Sequence, residues 1–108
     1  MRLPKLITAA WLLKKGACKR QVMRFQKRWP DGAEITAENV KKAQWLGLDL
    51  YWFIYTNLPK RVINAWDDEA LALDKRHMAG ELTLEGSMRL LRRLHRDTIL
   101  RAGGKVQP

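Results

Sequence analysis

A chain of 108 residues fits one domain and has no room for two large lobes around a cleft, which excludes the large multidomain enzymes. Hydrophobic residues at 46%, five tryptophans and 30% charged residues suffice for a core and exclude a disordered chain. The 21 Lys and Arg against 11 Asp and Glu give a formal net charge of +10, a field that concentrates polyanions on so small a surface.

Apolar residues recur at spacings of three and four, with Thr or Asp where helices should begin, and strand signals are lacking. The expected fold is all-α, a compact bundle of five to six short-to-medium helices. Thr8 is placed to cap a short helix through Leu13, ended by Gly16. A second helix runs from Cys18 to about Trp29 and stops at Pro30-Asp31-Gly32. Thr36 caps a helix over Ala37 to Leu46 with Gly47 as its stop, and Asp49 caps a short aromatic one through about Thr56. Pro59 opens a fifth helix to Ala79 before Gly80, and Thr83 caps a sixth from Leu84 to about Arg101. One domain thus spans 1–108, with a helical segment over 6–58, a helical hairpin over 59–102 and a flexible tail over 103–108.

The N-terminus imitates a lipoprotein leader, with Arg2 and Lys5 before Leu6 to Leu13 and then Gly16-Ala17-Cys18. Lys14 and Lys15 spoil the imitation by placing two charges where the apolar stretch should meet the cleavage site. The next most apolar stretch, Leu46 to Leu58, contains Asp49 and is too short to cross a bilayer, so no membrane partner is expected. The single cysteine, Cys18, excludes an intrachain disulfide and fits a reducing, cytoplasmic setting.

Charge is unevenly distributed. Residues 1–30, 31–81 and 82–108 carry +9, −3 and +4, so the positive field comes from the two ends. In the second helix Cys18, Val22, Phe25 and Trp29 form a narrow apolar stripe, while Lys19, Arg20, Arg24, Lys27 and Arg28 occupy the remainder. In the sixth, Leu84, Met88, Leu91, Leu94 and Thr98 form the core face, opposite Arg89, Arg92, Arg93 and Arg96. In the fifth, Val62, Trp66, Leu73 and His77 share a face.

The run Trp11 to Val22 has helix-turn-helix spacing, which would expose Lys19, Arg20, Gln21 and Arg24 on a recognition helix, with Gln21 suited to adenine edges and the arginines to guanine or phosphate. A plain helical hairpin with a solvated basic face has the same spacing. The arginine face of the last helix suits phosphates, RNA or an acidic protein surface, or is simply solvated. Trp11, Trp29 and Trp66 fall on apolar faces and read as core, whereas Trp45 falls off the stripe of its helix and, with Tyr51 and Tyr55, is a candidate contact patch. His77 and His95 read as core histidines, the cluster Asp67-Asp68-Glu69 with Asp74 as a solvated acidic turn, and Cys18 as a buried thiol. No catalytic group, metal site or cofactor is therefore expected.

Gly16-Ala17-Cys18, Gln21-Val22, Phe25, Pro30-Asp31-Gly32, Ile35-Thr36, Asn39, Ala43, Gly47-Leu48-Asp49-Leu50 and Trp52 together resemble a segment of small helical proteins of bacteriophages and prophages. The likeness covers residues 7–53. It implies a phage or mobile-element origin and the work such proteins do, regulating transcription or disabling host machinery. The chain differs from that segment in charge, since Lys19, Arg20, Arg24, Lys27 and Arg28 stand where acidic residues are frequent. The leading expectation is a non-enzymatic protein binding DNA or RNA through two basic helix faces. Its rival is an inhibitor docking on a host protein or a nucleic-acid-bound defence complex through Trp45, Tyr51 and Tyr55.

Overall fold

Thr8 begins the helical part of the chain: its hydroxyl accepts the Trp11 N–H at 3.1 Å and opens α1 (Ala9–Lys14). Of the 108 residues, the computed structural model describes 3–103. Gly16, at φ +93°, turns the chain into α2 (Lys19–Arg28), whose Val22 and Phe25 are buried together with Trp29 just beyond its end. The Thr36 hydroxyl caps α3 (Ala37–Trp45) through the Asn39 N–H, and the Asp49 carboxylate caps α4 (Leu50–Asn57) through the Trp52 N–H. Proline fixes its own φ and favours an extended ψ before a helix; Pro59 accordingly stands as the N-cap of α5 (Lys60–Met78), one position before the expected first turn. Gly80, at φ +80°, reverses the chain, and the Thr83 hydroxyl accepts the Gly86 N–H at 3.0 Å to open α6 (Leu84–Gly103). Residues 104–108, most of the expected tail, lie outside the described residues, and Gly103 belongs to α6.

The fold is all-α, with 71% of the described residues in six helices. One departure from the expectation is a minimal antiparallel pair, β1 (Leu6–Ile7) with β2 (Ala33–Glu34), in which Leu6 faces Glu34 and Ile7 faces Ala33. Two-residue strands are too short to leave an alternating pattern in a sequence. The pair fastens the chain before α1 to the chain after α2 and buries Ile7 and Ala33.

Helix α6 is the shared wall, packing against α5, α3 and α4. The core around it includes Ile54, Ile99, Trp66 and Val22, with Ile54 fully buried. Phe25 and Trp29 lie 5.1 Å apart between ring centroids, and Trp66 is gripped by an edge contact from Tyr51 at 5.1 Å and by His95 at 5.5 Å. The molecule measures 44 × 29 × 26 Å. Its length reflects the α5–α6 hairpin, whose end opposite α3 and α4 has no covering layer. Leu84 and Met88, expected in the core, are therefore 63% and 50% exposed there, and Met78 at the end of α5 is exposed too.

Candidate nucleic-acid interface

The two basic helices converge on the end of α3. From α2, Arg24 donates through Nη1 to the Leu46 carbonyl at 3.2 Å. From α6, Arg96 donates through Nη1 to Gln44 Oε1 at 2.9 Å, while Gln44 Nε2 donates to the Arg92 carbonyl at 2.8 Å. Gln44 and Leu46 are two residues apart, so the arginine faces of α2 and α6 border one strip of surface, with Trp45 between them. Trp45 is 78% exposed, and Lys42 Nζ lies 4.6 Å from the centre of its ring.

Helical periodicity extends the strip on both sides. Arg20, Lys27 and Arg28 stand four before, three after and four after Arg24, which places them on the same side of α2. Arg89, Arg92 and Arg93 precede Arg96 by seven, four and three, so the four arginines fall within one arc of about 100° on α6, the side that meets α3 through Arg92 and Arg96. Lys41 adds an exposed cation from α3. Among the described residues Arg20, Lys27, Lys41 and Arg92 have no intramolecular ion pair. Arg28 covers the Trp29 ring at 5.4 Å, Arg89 meets Glu85 at 4.0 Å and Arg93 meets Asp97 at 3.9 Å. Both ion pairs are solvent-exposed and weak, so they leave these arginines available to a stronger anion.

Three sequence expectations change. Gln21, expected to read bases, is bonded within the fold: its Nε2 donates to the Gly47 carbonyl at 3.3 Å and its Oε1 accepts the Asp49 N–H at 2.7 Å. It staples α2 to the α3–α4 turn. Cys18, expected on the buried stripe, is exposed because it is the N-cap, with extended backbone (φ −62°, ψ 131°) that directs its side chain out of the helical register. The N–H groups of Gln21 and then Arg20, with the Arg20 charge, hold its thiol pKa below the ordinary value. Lys19 stands exposed in the first turn of α2, away from the α3 side. Tyr51 and Tyr55 are exposed as expected, but they stack on one another at 5.9 Å and 5°, and Tyr51 also braces Trp66.

Lys41, Lys42 and Gln44 were not singled out from the sequence. The signal was the run Lys41-Lys42-Ala43-Gln44-Trp45, hidden because averaging over 31–81 merges it with the acids of α5.

Elsewhere, a cavity of about 420 Å³ opens among α1, α2, α3 and α4, walled by Leu12, Val22, Phe25, Trp52 and Ile99. Its polar rim groups Gln21, Asn39 and Asp49 are already bonded to backbone. Among the described residues, no three His, Cys, Asp or Glu side chains are placed to share a metal ion, and no helix is long and apolar enough to cross a membrane. No protein-family model, curated protein or solved structure matches the chain.

Proposed function

We propose that this is a non-enzymatic, phage-type protein that binds nucleic acid through the strip formed by α2, the end of α3 and α6. The observation that supports the reading is the pair of hydrogen bonds from Arg24 and Arg96 to residues 46 and 44, which bring an arginine of each basic face to the end of α3. Cations held side by side along a surface match the repeating charge of a phosphodiester backbone, and displacing its counterions drives association. Arg20, Lys27, Lys41 and Arg92 supply unpaired charge, and Arg24 and Arg96 fix its spacing. The exposed apolar side chains around the α5–α6 turn, Met78, Leu84 and Met88, favour a second reading, docking on a host protein.

The test is fluorescence anisotropy of labelled DNA and RNA at two salt concentrations, comparing two double charge reversals of equal net charge. Lys27→Glu with Arg92→Glu should weaken binding strongly and lower the salt slope by about 2, roughly one for each phosphate no longer neutralised. Lys75→Glu with Arg76→Glu, at the far end of α5, should leave binding largely intact. Equal losses from both pairs would reduce the interface to a general field and turn attention to the host-protein reading.

A further inference from the structure

Resting on the nucleic-acid reading, we propose that Trp45 is a stacking platform for an unpaired base, so that the partner is single-stranded nucleic acid rather than a duplex. The indole projects from the last helical residue of α3 and is 78% exposed, while Trp29 and Trp66 are buried and Trp11 and Trp52 are half-buried. One exposed tryptophan is ordinary in itself; its setting is what distinguishes Trp45.

The backbone under it is held from both sides. Gln44 is bonded to α6 through both ends of its amide, Leu46 receives Arg24 from α2, and Gly47 and Asp49 are held by Gln21. Lys42 holds its ammonium 4.6 Å from the ring centre, a cation–π contact that orients the indole and brings a phosphate-binding charge beside it. The ring is thus fixed by contacts that leave most of its surface in solvent, and a platform fixed beforehand loses little freedom on binding.

Charges flank the ring on both sides. Arg20 and Lys27 of α2 on one side and Arg92 of α6 on the other, with Lys41 one turn before Trp45 on α3, can hold successive phosphates, with an aromatic face between them for the intervening base. Single-strand binders combine a basic track with aromatic stacking in this way. In a duplex each base is already stacked on both faces, so an indole can stack only after a base step is opened, at a cost of about a few kcal/mol.

The experiment titrates the full chain into fluorescein-labelled oligothymidylate, oligouridylate and a mixed-sequence duplex of the same length, alongside Trp45→Ala and Trp45→Phe. The wild type should prefer a single strand. Trp45→Ala should weaken single-strand binding roughly 5- to 150-fold with little change on the duplex, and Trp45→Phe should recover most of the loss because the ring face remains. Far-UV circular dichroism should show both variants folded, as expected for so exposed a side chain. Tight duplex binding with no effect of Trp45→Ala on any strand would overturn the stacking proposal and leave the nucleic-acid reading standing. Absence of binding to all three probes would remove both.

Discussion

His95 is half-buried on α6 against the Trp66 ring. Burial disfavours its imidazolium and lowers its pKa from the ordinary 6.5, while the Asp49 carboxylate pulls more weakly the other way. The unfolded chain then binds the proton more readily than the folded one, so the neutral ring's contribution is present above the unfolded pKa and is lost as pH falls towards the folded one. Urea midpoints should decline between about pH 7 and pH 5.5, and His95→Gln should flatten that slope; a slope unchanged in the variant would assign the decline to other groups. His95 was legible as a core histidine because it lies beside the Leu91 and Leu94 face. Cys18 was misread at the same scale, since counting by threes and fours treats a cap as a helical position although its backbone is extended.

Among the elements, α3 is the one whose environment decides the site. It is nine residues long, too short to be stable alone, and its position depends on what grips its end. Gln44 joins it to α6 by two hydrogen bonds. Gln44→Ala should cost about 1–2 kcal/mol of stability in denaturant titration and weaken nucleic-acid binding, although the variant removes no charge. Loss of stability with unchanged binding would separate the clamp from the interface. Helix starts and stops were readable because they are local chemistry: Thr8, Thr36, Asp49 and Thr83 each accept a backbone N–H, and Gly16, Gly32, Gly47 and Gly80 adopt positive φ. The union of two basic faces was not readable, because bonds from Arg24 to Leu46 and from Gln44 to Arg92 span 22 and 48 residues. Likewise, the apolar stripe of α6 announces an amphipathic helix without stating how far along it a covering layer extends.

For the molecule as a whole, α6 links the N-terminal helices to the hairpin. Ile99 is 2% exposed, belongs to the main core and also lines the cavity among α1 to α4. Ile99→Ala should cost about 2–5 kcal/mol and lower amide-exchange protection in α3 and α5 together. A loss confined to one of them would mean that the two parts unfold separately.

Residues 67–88, around the uncovered end of the hairpin, carry Asp67, Asp68, Glu69, Asp74, Glu81 and Glu85 against Lys75 and Arg76, a net −4, while the remainder of the chain carries +14. Leu84 lies about 18 Å along α6 from Arg96 at 1.5 Å per residue. The protein is therefore an electric dipole as well as a cation. In the field of a polyanion it feels a torque that turns the hairpin end outward, so encounters are biased towards landing on the α2–α3–α6 strip before any contact forms. On the proposed reading, Met78 and Leu84 face solvent in the bound state, kept away from the strand by the acids around them.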